Sequence, residues 1–216
     1  MIQLLLTAGW TLAGVGVGLG IRRANVYLAE REHLHPGSAL WQVWGPVVFC
    51  ALLFDAFAFQ VGPRPVLLVY SLFVAVLVQI VFFDFEHRLI LDLVQLPAAA
   101  LALVWSLFMQ PWWAGLASGL GAGLLFLGLA AVGTYLLRSE ALGMGDVKLA
   151  LFIGLLLGWP GTLRGIFYGV FLAGLGALVV IALNRGRIHG LTLAYGPFLA
   201  MGAMIELLQQ AGQAGQ

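Results

Sequence analysis

The chain has 216 residues, 62% of them hydrophobic and only 9% charged, with a net charge of +1. A soluble domain carries about 25% charged residues, so the composition excludes a water-exposed globular fold, and near neutrality gives no electrostatic case for binding nucleic acid. The one cysteine, Cys50, excludes an internal disulfide and a cysteine-based metal cluster.

The apolar runs are long enough for helices of about 20 residues. Lipid requires backbone groups to be satisfied within a segment, and the alternating pattern of a β-barrel is absent. The expected fold is all-α: a polytopic membrane protein of about eight transmembrane helices. Residues 1–208 are expected to form a single transmembrane helical domain, and 209–216 read as a disordered tail. In chain order, the first span runs from Ile2 to Ile21; it lacks a positive n-region and a small-residue cleavage site, so it reads as retained. A polar stretch from Arg22 to His35 follows, read as a positively charged helix at the membrane surface. The second span runs from Trp41 to Val61 and stops at Gly62-Pro63-Arg64-Pro65; the third continues from there to Phe83. Asp84, Glu86, His87, Arg88 and Asp92 form a charged segment. The fourth span covers Leu93 to Gln110, turned by Pro111-Trp112-Trp113, and the fifth Ala114 to Leu137. Arg138 to Lys148 is the second charged segment. A short sixth span ends at Gly158-Trp159-Pro160-Gly161, the seventh is Leu163 to Leu183, and the last is Leu191 to Leu208.

On this count one face holds eight basic residues (Arg22, Arg23, Arg31, Arg88, Arg138, Lys148, Arg185 and Arg187) and the other holds Arg64 and Arg164. The positive-inside rule places the first face in the cytoplasm and both termini outside. Asp84 then closes the third span and Asp146 opens the sixth at the same cytoplasmic face, joined by one hairpin of spans. An acid at a membrane edge is costly unless used or paired. Two such aspartates across a small gap share one proton, because like charges a few ångströms apart cannot both ionise. One then takes a proton from water while the other hydrogen-bonds the peptide carbonyl. The blander reading is two solvated helix-end charges, with Asp146 favoured by the dipole of its helix.

Three blocks carry a family resemblance. Gly143-Met144-Gly145-Asp146-Val147-Lys148 resembles the Gly-x-Gly-Asp-x-Lys signature of the prepilin leader peptidases, membrane aspartic proteases that process type IV prepilins and type II secretion pseudopilins. Phe83-Asp84-Phe85-Glu86-His87-Arg88-Leu89-Ile90-Leu91-Asp92 resembles the block around the family's other catalytic aspartate, with Leu91 where the family has Pro. Tyr195-Gly196-Pro197-Phe198-Leu199-Ala200 is similar to the family's Phe-Gly-Pro block. The resemblance implies an aspartic endopeptidase of the cell membrane with Asp84 and Asp146 catalytic and Asp92 auxiliary. It also implies a substrate with a short basic leader followed by an apolar helix. Gly143 and Gly145 lack a Cβ and so admit an extended substrate beside Asp146, with Lys148 completing the motif. The acids Glu86, Asp92 and Glu140 are placed to attract the basic leader. No metal and no cofactor is expected for proteolysis.

Large members of that family carry a cytoplasmic insertion with two Cys-x-x-Cys pairs, and a second activity that methylates the new N-terminus from S-adenosylmethionine. This chain has only Arg22 to Leu40 in that place, without cysteine, so S-adenosylmethionine enters only if methylation occurs. Two other classes fit less well. Presenilin-like Gly-x-Gly-Asp proteases have Tyr-Asp and a later Pro-Ala-Leu, both absent here, and a proton-coupled transporter calls for midplane acids and a repeat. Asp55 lies inside the second span but matches no block. His33, His35, His87 and His189 match no zinc spacing. The Gly14/Gly18, Gly115/Gly119/Gly123 and Gly165/Gly169 repeats read as helix-packing faces.

Overall fold

The computed structural model describes residues 2–137, 142–183 and 194–215. Among them are eight helices and no strand: α1 (Ile2–Arg31), α2 (Leu40–Val61), α3 (Val66–His87), α4 (Asp92–Ser106), α5 (Ala114–Leu137), α6 (Met144–Leu157), α7 (Gly161–Leu183) and α8 (Gly196–Gly215). Five of these, α1, α2, α3, α5 and α7, are long and apolar enough to cross a membrane. The chain divides into two compact units, residues 1–89 with 207–216, and residues 90–206.

In the first unit α3 is the central element. Phe73, Leu77, Val78 and Phe83 bury almost all of their surface. Phe49 and Phe82 meet edge to face, with ring centroids 6.0 Å apart. Association inside lipid gains little from the hydrophobic effect, so close backbone packing and interhelical hydrogen bonds do the work. Gly14 supplies the packing: a Cβ there would stand 2.7 Å from the Cys50 carbonyl oxygen, and one at Gly18 would collide with the Val47 backbone. Hydrogen bonds add Trp10 Nε1 to Ser71 Oγ (2.9 Å), Thr11 Oγ1 to Asp55 Oδ1 (3.0 Å) and Gln79 Nε2 to Asn25 Oδ1 (3.2 Å). Asp55 is thus engaged by a neighbouring helix.

Two boundaries differ from the sequence reading. The first helix does not stop at Ile21 but continues to Arg31, because Arg22–Arg31 contains no glycine or proline and buries Asn25, Leu28 and Ala29 on one face. The last helix runs to Gly215, through the segment read as a disordered tail. Ala211 is fully buried, and a Cβ at Gly212 would stand 2.6 Å from Gln60 Oε1, so this end of the chain is packed in the first unit.

In the second unit α6 is the buried centre, with Leu149, Phe152, Ile153 and Leu156 fully enclosed. A Cβ at Gly154 would lie 2.5 Å from the Gly119 Cα, so α5 and α6 touch backbone to backbone. The Gly165/Gly169 face meets α8 in the same way, with a Gly169 Cβ 2.9 Å from the Leu199 Cα. Helix α6 ends at Gly158, whose φ of 62° falls in the region that glycine adopts without strain, and whose N–H bonds to the Gly154 carbonyl. On α7, Arg164 grips the fully buried Glu206 of α8: Nε lies 3.0 Å from both carboxylate oxygens and Nη2 2.6 Å from Oε1.

Candidate active site

In the first unit Asp84 lies in the last turn of α3 and is 4% exposed. Its carbonyl accepts the N–H of Arg88 at 2.8 Å, and Arg88 closes the helix in the left-handed region at φ 55°. A non-glycine residue there costs roughly 1–2 kcal/mol, so the turn just after Asp84 is held by its surroundings. Phe83 packs on His87 with centroids 4.7 Å apart, and His87 Nε2 stands 3.5 Å from Glu86 Oε1.

Glu86 differs from its expected role as a bare carboxylate facing a basic leader. Its side chain is 5% exposed and lies 3.7 Å from the Arg22 guanidinium. It also accepts a hydrogen bond from the Gly37 N–H, while Arg22 donates to the Gly37 carbonyl. Glu86 therefore clasps the loop after α1 to the end of α3.

In the second unit Asp146 sits in the first turn of α6, partly buried, where the helix dipole favours a carboxylate. Gly143 precedes the helix in extended conformation, and its carbonyl accepts the Asp146 N–H at 3.1 Å. The two glycines of the motif are not equivalent. A Cβ at exposed Gly143 would make only ordinary van der Waals contact, with Asp146 Oδ2 3.8 Å away. A Cβ at Gly145 would run into Ile90, 3.2 Å from its Cβ. The room expected beside Gly145 for a substrate is filled by Ile90; the open flank of Asp146 is at Gly143.

Lys148 Nζ lies 2.6 and 2.7 Å from the two carboxylate oxygens of Asp92, an exposed pair at the starts of α6 and α4. Gln95, one turn further along α4, donates from Nε2 to the Gly145 carbonyl at 3.2 Å. The sequence reading singles out Gln95 nowhere, yet the signal is present: an amide inside an apolar run, three residues after Asp92 and so on the same helical face. Tyr195 opens α8, its carbonyl accepting the N–H groups of Phe198 and Leu199 at 3.2 Å. Glu140 and His189 fall outside the described residues.

Apolar helices, five of them long enough to cross a membrane, with an aspartate at a helix end in each unit, are the features of a multi-pass membrane protein. Residues 71–181, a stretch that contains both aspartates, match the type IV leader peptidase family. The chain is also 30% identical over 200 residues to the prepilin leader peptidase/N-methyltransferase of Escherichia coli (strain K12), covering 88% of this chain and 81% of that protein. It belongs to the type IV leader peptidase family and is a protease. No solved structure matches it.

Proposed function

We propose that this protein is an aspartic endopeptidase that removes the short basic leader of type IV prepilins and pseudopilins at the cytoplasmic edge of the cell membrane. Asp84 and Asp146 act as its acid–base pair. The observation that carries the reading is the pairing of the two motif blocks with helix ends: Asp84 closes α3 and Asp146 opens α6. On the reading in which α4 and α5 each cross the bilayer once, both aspartates would come to one membrane face, and the eight basic residues assigned to that face support the cytoplasmic side.

The ionised member of the pair takes a proton from water as the water oxygen attacks the scissile carbonyl. The protonated member hydrogen-bonds the carbonyl oxygen. Collapse of the tetrahedral intermediate breaks the C–N bond, a proton passes to the leaving amine, and the leader departs with a new carboxylate. The pair titrates as one unit, so neither role is fixed to one residue. The open flank at Gly143 accommodates the extended substrate beside Asp146. With Glu86 committed to Arg22 and Gly37, the leader's positive charge falls to Asp92, whose side chain is 55% exposed. Lys148 balances Asp92 between turnovers. No metal enters this chemistry, and S-adenosylmethionine is a co-substrate only for a subsequent methylation.

The test is mass spectrometry of a prepilin co-expressed with the protein, which reports the cleavage position and any N-methylation together. Asp84→Asn and Asp146→Asn each abolish cleavage, with normal expression and insertion, and the double variant is no worse than either. Near-wild-type cleavage by Asp146→Asn at normal expression refutes the reading.

A further inference from the structure

Gln95 touches the peptide unit that leads into Asp146. Its Nε2 donates to the Gly145 carbonyl at 3.2 Å. The other end of that same peptide unit, the Asp146 N–H, donates to the Gly143 carbonyl at 3.1 Å. A peptide unit is planar and rigid. The helix already aligns this carbonyl with the N–H four residues on, so Gln95 is a second donor that ties the unit to α4 and fixes, relative to α4, the direction in which the Asp146 side chain leaves the backbone.

The cost of this contact shows what it is for. Gln95 is fully buried, and its Oε1 has no hydrogen-bond partner among the described residues. A leucine would fill a similar space without burying an unsatisfied acceptor, and would stabilise the unit more. The amide has value there only through its donor, and the donor is aimed at Gly145. The neighbouring Asp92–Lys148 pair joins the same two helices, but it is solvent-exposed, and exposed pairs constrain little.

We propose that Gln95 is a positioning residue for peptide hydrolysis: by holding the Gly145 carbonyl from within the buried side of α4, it orients the Asp146 carboxyl for proton transfer with the attacking water and the scissile carbonyl. It touches no reacting atom. This rests on the reading of Asp146 as a member of the acid–base pair.

Gln95→Met keeps the length of the side chain and removes the donor. Its kcat on a prepilin falls about tenfold, the size expected for one lost hydrogen bond, with KM unchanged within about twofold. Its thermal stability stays the same or rises, because the orphaned Oε1 is gone. Hydrogen exchange of the 143–148 backbone becomes several-fold faster. Gln95→Glu separates positioning from packing, since a neutral carboxyl donates to the Gly145 carbonyl and a carboxylate does not. The ratio of its kcat to that of Gln95→Met therefore rises as pH is lowered; Asp84, Asp92, Asp146 and Lys148 titrate in both variants, and because the new carboxyl couples to Asp146, the 143–148 exchange, slowed in Gln95→Glu relative to Gln95→Met at low pH, separates positioning from that shift. Wild-type kcat and exchange in Gln95→Met overturn the proposal, as does a raised KM at unchanged kcat, or a Glu variant no better than Met at every pH. Failure of the protease reading looks different: the wild-type protein itself leaves prepilin uncut, while the exchange measurement still decides whether Gln95 fixes this peptide unit.

Discussion

Gly154→Ala tests whether close backbone packing sets the place of Asp146. A methyl at Gly154 would stand 2.5 Å from the Gly119 Cα and the Ser118 carbonyl oxygen, and 2.6 Å from the Gly119 nitrogen. Carbon atoms rest at about 3.5–4.0 Å, so α5 and α6 must separate by about 1 Å. All three obstructing atoms are backbone, and no rotamer change relieves them. Overpacking of this kind costs about 1–3 kcal/mol, offset by the roughly 0.5–1 kcal/mol that alanine gains over glycine within a helix. A net loss of about 1–2 kcal/mol follows. Asp146 rides on the same helix, and a misplacement of about 1 Å costs up to about 100-fold in rate. Turnover on a prepilin should fall much further than stability does. The control is Gly121→Ala on α5, where an added Cβ meets nothing within 4 Å; it should be neutral or slightly stabilising. Thermal unfolding in detergent and initial cleavage rates, measured on both variants, decide the matter. Equal rates and equal melting temperatures for the two would refute the argument that the α5–α6 contact positions the aspartate.

Arg164→Met leaves the fully buried Glu206 carboxylate without its guanidinium and should destabilise the protein by about 2–4 kcal/mol, below the fully buried case because Arg164 is 43% exposed. Arg164→Met with Glu206→Gln should recover most of that loss in the same thermal assay. Reporter fusions after Leu34 should read cytoplasmic, and fusions after Pro63 and Trp112 external. A cytoplasmic reading after Trp112 would put Asp84 and Asp146 on opposite faces and break the pairing argument.

Among the described residues the number and order of the helices were legible because charges are costly within a span, so Arg64, between α2 and α3, and Asp84, in the last turn of α3, stand near boundaries. The extension of α1 was not. Arg22 and Arg23 look like a membrane edge, and only the spacing of Ile21, Asn25, Leu28 and Ala29 reveals a continuing buried stripe. The end of α8 was hidden for the same kind of reason. Gln209, Gln210 and Gln213 look like a solvated tail, yet glutamine is a good helix former and Ala211 supplies the packing contact. The motif positions were legible as a family resemblance, but the contacts that their side chains make were not. Nothing in the order of residues says that Glu86 is occupied by Arg22, or that the space beside Gly145 belongs to Ile90. Those depend on which side chains meet across helices far apart in sequence.

The 14-residue length of α6 has a consequence for the supply of water. At 1.5 Å per residue such a helix is about 21 Å long, while the hydrocarbon core is about 30 Å thick. Its two ends cannot both reach the headgroups. Trp159, just past one end, is two-thirds exposed and suited to the interface; on the proposed topology the Asp146 end then stops short of the opposite headgroups. Hydrolysis consumes water, and undisturbed hydrocarbon holds none at that depth. Helix α6 is enclosed by protein and not by lipid, so on the proposed topology water comes to Asp146 along its partly exposed side. On the proposed function, the protein's own surface beside Asp146, and not the surrounding lipid, would then supply the water that hydrolysis consumes.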